Sequence, residues 1–220
     1  MLVSRPASGL NTATLRCAVH EPSHRAAARP SNRSGPVCVT LRRVPDLPHQ
    51  LAVLCYLYDA AGRVLMLHRR KPPNRELYSP IGGKVETARG ESPTACAIRE
   101  IHEEAGLRLP VDRLRLAGLV SENAYLGETH WLMFLYEVVG PVAVEAVAFD
   151  EGRLEWHTPE AVTALPQPET DQYVIWPLYH AHRGGFFAAH IDCSGPLMRY
   201  RVEQPPGADH AWRTVSGAAS

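Results

Sequence analysis

Apolar residues gather in short runs separated by turn-forming clusters, and the period within each run predicts its geometry. Order is expected to begin near His49, where Leu51-Ala52-Val53-Leu54-Cys55-Tyr56-Leu57-Tyr58 is long enough for a buried strand. Asp59-Ala60-Ala61-Gly62 turns the chain, and Val64-Leu65-Met66-Leu67 is expected to return it as a hairpin. Further on, Leu114 to Glu122 and Trp131 to Val139, joined by a turn around Gly127, predict an antiparallel pair. Residues 140–149 lack periodicity, and Leu154-Glu155-Trp156 predicts a short strand. Thr158 and Pro159 then carry the N-cap and N1 chemistry of a short helix. A last helix is expected from about Thr170 to His182, kinked or broken at Pro177 and ended by Gly184-Gly185. Residues 185–192 and 198–202 alternate about Gly195-Pro196 and predict a terminal hairpin.

Composition narrows the setting. The chain has 220 residues, 45% of them apolar, enough for one domain with a substantial core. Its 23 basic and 23 acidic residues balance, so no global field points to a stable nucleic-acid partner or to an anionic membrane. No apolar run approaches the ~18 residues that span a bilayer. The five cysteines are scattered and contain no C-x-x-C pair, which fits a reducing, cytoplasmic compartment and neither a disulfide framework nor zinc. Residues 1–44 carry seven arginines and a single acid, Glu21, without periodicity. That composition predicts a disordered extension or a misassigned start, with an organellar signal as the other reading. The expected organisation is therefore this extension, a folded domain over 45–205, and a flexible tail over 206–220.

One helix differs from the rest. Starting near Ser92 or Pro93 and turning about 100° per residue, it gathers Glu100, Glu103 and Glu104 into one arc of about 100°. Thr94, Ile98, Ile101 and Ala105 are expected opposite, as the core-facing stripe. Cys96 and Ala97 lie one turn earlier on the carboxylate side and are expected to leave room for a ligand. Arg99 stands four residues before Glu103, where it can orient a carboxylate. Glu-rich faces are commonly just solvated. Three like charges on one arc repel, however, and a divalent cation relieves that; hard oxygen ligands without a histidine cluster suit Mg²⁺ or Mn²⁺. Such ions commonly work on phosphates. The basic run His68, Arg69, Arg70, Lys71 and Arg75 reads as a solvated loop on composition alone, and as a polyphosphate partner if placed beside such a site. Lys84, after the Gly82-Gly83 pair, faces either phosphate or solvent.

The residues from Gly82 to Leu107 resemble the signature of the Nudix hydrolases, G-x5-E-x7-R-E-U-x-E-E-x-G-U with U apolar. Its second half matches throughout, from Glu91 through Arg99, Glu100, Ile101, His102, Glu103, Glu104, Ala105 and Gly106 to Leu107. One departure is that seven residues separate Gly83 from Glu91 where the family usually has five. The surplus, in Thr87-Ala88-Arg89-Gly90, is expected to bulge as a loop, which costs little, and to bring Arg89 toward a substrate phosphate.

The resemblance implies an α/β fold, a Nudix-type α/β/α sandwich with a mixed β-sheet, that hydrolyses a nucleoside diphosphate linked to another group. It implies that Glu100, Glu103, Glu104, the Gly83 carbonyl and Glu151, with Asp150 as alternate, hold about one to three Mg²⁺ ions. Glu100 would orient or deprotonate the attacking water, Arg99 would fix the carboxylates, and Glu91 belongs to the same constellation. Lys84, Arg69 and Asp171 are the candidate contacts to a nucleotide substrate. Asp171 with Trp176-Pro177-Leu178 and Gly185-Phe186-Phe187 resembles the oxidised-purine nucleoside triphosphate branch, although no Trp stands just before Asp171. Asp171 reads first as a helix N-cap and only second as a contact to a base. Tyr125 leaves dinucleoside polyphosphates or nucleotide sugars open as substrates, and a non-catalytic ligand sensor is the third reading. The apolar strands serve the chain's own core or a second copy, so a homodimer stays open.

Overall fold

The structure, a computed structural model, describes residues 46–72, 74–145, 148–205 and 207–216. The expectations for residues 1–44 lie outside the described residues. Strands β1 (His49–Tyr56), β4 (Ile81–Lys84), β5 (Leu114–Tyr125), β6 (Thr129–Val138), β9 (Phe187–Asp192), β10 (Arg199–Gln204) and β11 (Arg213–Thr214) form one mixed sheet in the order β11-β10-β9-β5-β6-β1-β4. A smaller sheet joins β2 (Val64–Arg69), β3 (Tyr78–Ser79), β7 (Ala148–Phe149) and β8 (Gly152–His157) in the order β3-β2-β8-β7. Helix α1 (Pro93–Ala105) packs on one face of the large sheet. Helices α2 (Pro159–Ala164) and α3 (Trp176–Ala181) pack on the other, giving the expected α/β/α layering.

The antiparallel β5–β6 pair, the terminal β9–β10 hairpin and the Thr158 cap, whose hydroxyl accepts from the Ala161 amide at 3.3 Å, all form as expected. The first hairpin does not. β1 lies inside the large sheet, parallel to β6 and antiparallel to β4, while β2 pairs with β3 and β8; a single bridge, Tyr58 to Val64, links the two arms. Both strands are apolar on both faces. Val53, Cys55, Leu65 and Leu67 join the core under α1, and Ala52, Tyr56, Val64 and Met66 join the core under α2 and α3. Strands that must bury two faces take interior places in layered sheets, where a two-stranded ribbon would leave one face wet.

Three smaller departures accompany it. The helix expected over 170–182, kinked or broken at Pro177, opens with a π turn, Asp171–Ile175, before α3, and Pro177 falls within the first turn of α3. Proline cannot donate its amide, so regular i→i−4 bonding is interrupted there. In the region expected to be irregular, Ala148–Phe149 pairs with β8. In the stretch expected to be a flexible tail, Arg213–Thr214 pairs with Arg199–Tyr200, and Val215 is buried in the core.

The face that α1 turns inward also differs from expectation. Cys96, Ala97 and Ile101 are its fully buried residues, while Ile98 lines an outer groove. Cys96 and Ala97 therefore do not leave space for a ligand; their small side chains let the helix lie close on the sheet. At about 100° per residue, Glu100 and Glu104 fall within the arc bounded by Cys96 and Ile101. The carboxylates are thus aimed at the sheet edge and not away from the core.

Ile101→Ala should destabilise the protein by about 2–5 kcal/mol, the range for a fully buried large-to-small change. Urea unfolding followed by circular dichroism checks this as a lower midpoint at unchanged slope.

Candidate active site

The helix carboxylates reach their positions because β4 carries glycine where α1 crosses it. A Cβ on Gly83 would stand 2.2 Å from Glu100 Oε1, and one on Gly82 would stand 2.1 Å from the Val53 carbonyl oxygen. Only bare backbone admits Glu100 there. Ser92 starts the helix by accepting from the Ala95 amide at 3.2 Å, and Gly106, with φ of 70°, ends it.

Arg99 is the hub of the carboxylate group. Its Nε donates to Glu91 Oε1 at 2.8 Å and its Nη2 to Glu91 Oε2 at 3.0 Å, a bidentate pair. Its Nη1 donates to Glu100 Oε1 at 2.6 Å and to Glu103 Oε2 at 3.1 Å, and Nη2 also reaches the Lys84 carbonyl oxygen at 3.2 Å. The two surplus residues of the loop coil into a short 3-10 turn, Thr87–Arg89, closed by Gly90 in the left-handed region. The insertion is absorbed there, and Glu91 still lands on Arg99, where it also accepts the Glu86 amide at 2.8 Å. Arg89 turns away to pair with Glu86 at 2.9 Å and does not line the cavity, contrary to expectation.

Electrostatics divides these acids. The Arg99 hydrogen bonds hold the Glu91 carboxyl down at about 2. Burial pushes Glu104 up to about 8, with Glu100 and Glu151 adding repulsion. Glu100 is raised as well, chiefly by burial and against the opposing pull of Arg99. Among the described residues, no three carboxylate, imidazole or thiolate groups stand close enough together to hold a metal ion as they are. Their chemistry nonetheless fits a hard divalent cation: carboxyl oxygens whose negative charges repel one another when ionised, beside a glycine strand. Glu103, more than half exposed, is the outermost of the set.

A cavity of about 360 Å³ opens beside this group. Of the residues singled out in the sequence, Gly83, Lys84, Glu100, Glu151, Arg69 and Asp171 line it; Glu91, Arg99, Glu103 and Glu104 do not. The cavity floor is one face of the large sheet, because Gly82, Leu54, Lys84, Ala52, Met133, Trp131 and Glu122 follow one another across paired strands. Its walls come from Arg69, Asn74, Ser79 and Pro80 on one side and Pro168, Thr170 and Asp171 on the other. The basic loop is mostly engaged elsewhere: Lys71 pairs with Asp150 and Arg75 with Glu76. The Arg70 amide donates to the Glu151 carbonyl at 2.8 Å, which ties that loop to the turn carrying Glu151. Asp171 is the first residue of the π turn, and the N-cap position belongs to Thr170. Trp176, which helped to suggest the oxidised-purine branch, is buried in the core.

Sequence reasoning passed over Glu122 and Trp131. The signal was present for the first, since Glu122 shares strand parity with buried Val120 and so points inward. A lone acid at an inward strand position marks either a partner or a site.

The NUDIX domain family matches residues 48–178. The chain belongs to the Nudix family. It is a hydrolase acting on pyrophosphate bonds, in a family that acts on nucleoside diphosphate-X compounds and generally uses divalent metals. It is similar to the uncharacterised Nudix hydrolase YvcI of Bacillus subtilis, 26% identical over 115 residues, covering 51% of this chain and 69% of YvcI. It is also similar to the NAD-capped RNA hydrolase NudC of Mycobacterium tuberculosis, 31% identical over 121 residues, covering 51% of this chain and 34% of NudC. Among solved structures, the mutator MutT protein of Bacillus halodurans superposes with a TM-score of 0.56 at 24% identity, over 71% of this chain and 99% of that one. That likeness shows the Nudix fold alone.

Two outcomes follow for the carboxylate group. Gly83→Ala should leave the circular dichroism spectrum unchanged while displacing Glu100 and weakening Mn²⁺ binding, measured by calorimetry. The second concerns pH. Glu104 keeps its proton in the folded state up to about 8, whereas its unfolded value is near 4.5. As pH rises between those values the unfolded chain ionises first, so the metal-free protein loses stability. Thermal unfolding in EDTA should show Tm falling from pH 5 to pH 8, and Mg²⁺ should reduce that fall by favouring ionised Glu104. An equal pH dependence with and without Mg²⁺ would remove Glu104 from the metal site.

Proposed function

We propose that this Nudix protein hydrolyses a nucleoside triphosphate, or a related nucleoside diphosphate linked to another group, at a phosphoanhydride bond with Mg²⁺ or Mn²⁺. Glu100, Glu103, Glu104 and Glu151, with the Gly83 carbonyl, are the groups that would hold the cation. When bound, a divalent cation supplies charge neutralisation at the phosphoanhydride and lowers the pKa of a water molecule. The observation that carries the reading is that Glu100 and Glu151, from different layers of the fold, line one cavity together with Arg69 and Lys84.

The chain's own residues divide the remaining work. Glu100 accepts the proton of the attacking water; its raised affinity for a proton and its position against bare backbone suit it to that role. Arg99 fixes Glu100 through the 2.6 Å bond, and Glu91 fixes Arg99. Lys84 and Arg69 meet the phosphates with positive charge. Water adds to phosphorus as the bridging P–O bond breaks, so a triphosphate yields a monophosphate and pyrophosphate.

Tyr125 also lines the cavity and supports a second reading, in which a dinucleoside polyphosphate or nucleotide sugar is cleaved by the same groups. The NAD-capped RNA named for NudC belongs to that dinucleotide class.

A panel of nucleoside triphosphates, dinucleoside polyphosphates and nucleotide sugars, assayed with Mg²⁺ for phosphate and pyrophosphate release, separates the two readings. Glu100→Gln should lower kcat on the best substrate by roughly 10²–10⁴-fold, the usual weight of a general base, with Tm within a few degrees of the parent. Parental turnover in Glu100→Gln would remove Glu100 from the reaction.

A further inference from the structure

Lys84 leaves β4 with its backbone held and its side chain aimed. Its carbonyl oxygen accepts from Arg99 Nη2 at 3.2 Å and from the Cys96 thiol at 3.5 Å, which fixes the residue to the hub of the carboxylate group. Lys84 is exposed and lines the cavity. An exposed lysine has a flexible four-carbon stem and a strongly hydrated head, so its ammonium ordinarily turns to water. Here Nζ lies 5.4 Å from the centre of the Trp131 ring, within the range of a cation–π contact. Among the described residues the ammonium forms no ion pair, whereas the chain's other lysine, Lys71, is paired with Asp150.

Sheet register explains how the two residues meet. Lys84 stands across from Ala52, and Ala52 stands across from Met133, two residues along β6 from Trp131. From β4 over β1 to β6 is two strand spacings, about 10 Å. A lysine and a tryptophan reach each other over that span only when the residue between them is short, and Ala52 is. The ring covers one side of the ammonium, and the other side opens into a cavity that also carries Glu100, Glu122, Glu151 and Asp171. The charge sits among four carboxyl groups without an ion pair to any of them, which leaves its N–H donors to an anionic ligand.

We infer that Trp131 is a positioning residue, whose ring face holds the Lys84 ammonium over the cavity floor where it meets the phosphate groups of the substrate. The inference rests on the proposed contact of Lys84 with phosphates and adds the residue that fixes that contact. The sequence left Lys84 facing either phosphate or solvent, and the ring across Ala52 decides for the cavity. Without the ring the lysine returns to many rotamers, and an arriving anion has to order it at a cost in affinity. Trp131 therefore acts on anion binding through Lys84. A ring that touched the substrate directly would act whether or not the lysine is there.

The probe is methylenediphosphonate, a pyrophosphate mimic whose bridge does not hydrolyse and which has no ring to stack. Its affinity in the presence of Mg²⁺ is measured by calorimetry for wild type, Lys84→Met, Trp131→Leu and the double variant. Lys84→Met should weaken binding, and Trp131→Leu should weaken it by roughly 2- to 30-fold, the range of a cation–π contact. The double variant should bind as Lys84→Met does, within about twofold, because the ring has nothing left to hold. Trp131→Phe keeps an aromatic face and should lie between wild type and Trp131→Leu; it supplies the same comparison if Trp131→Leu does not fold. Unchanged or tighter binding in folded Trp131→Leu, or an equal further loss when Trp131→Leu is added to Lys84→Met, would overturn the inference while leaving the hydrolytic reading intact. Absent binding to wild type, or unchanged binding in Lys84→Met, would remove Lys84 from the phosphate contacts, and the inference would fall with that part of the proposed function.

Discussion

Arg99 sets the charge balance on which the whole carboxylate group depends. One guanidinium contacts Glu91, Glu100 and Glu103. The planar fork makes this possible, since an ammonium could not serve a bidentate partner and two further oxygens in fixed directions. Glu91 takes the largest share and becomes the most acidic member of the set. Glu104, which accepts instead from the Gly82 amide at 3.4 Å, keeps the raised proton affinity of a buried acid. Neighbouring acids, Glu91 just before the helix and Glu104 on it, are thus held with opposite protonation tendencies.

That arrangement is possible because the helix lies close to the sheet. Cys96 and Ala97 are small, and Gly82 and Gly83 present backbone without side chains where α1 crosses β4. Close approach buries the acids, and burial raises their proton affinity. The two surplus loop residues leave this undisturbed because they coil outward into a 3-10 turn between two anchored points, the β4 strand and the Arg99–Glu91 pair.

The cavity then couples the large sheet to its surroundings. Its floor is a row of cross-strand neighbours, and its walls are loops tied back to the turn around Glu151 and to the π turn at Asp171. Function is carried on loops and strand edges held by a rigid core. Here the rigid part lines the cavity too, since Glu122 and Trp131 belong to central strands.

The sequence by itself determined what local period and short spacing can encode: the strands of the antiparallel pairs, the Thr158 cap, and the carboxylate spacing with the Arg99 partner. Each depends on residues a few positions apart, whose geometry one strand or one helix fixes. Only the tertiary structure decided which strands pair, since β1 and β2 look like a hairpin until both of their apolar faces have to be covered. It alone rolled α1 so that Glu100 and Glu104 face the sheet and Cys96 and Ala97 enter the core. It alone brought Asp171 to the cavity that Glu122 and Trp131 line, because residues about 40 to 50 positions apart meet only through sheet order and layer packing. Those are properties of competing burials across the whole domain, and no single stretch of chain contains them.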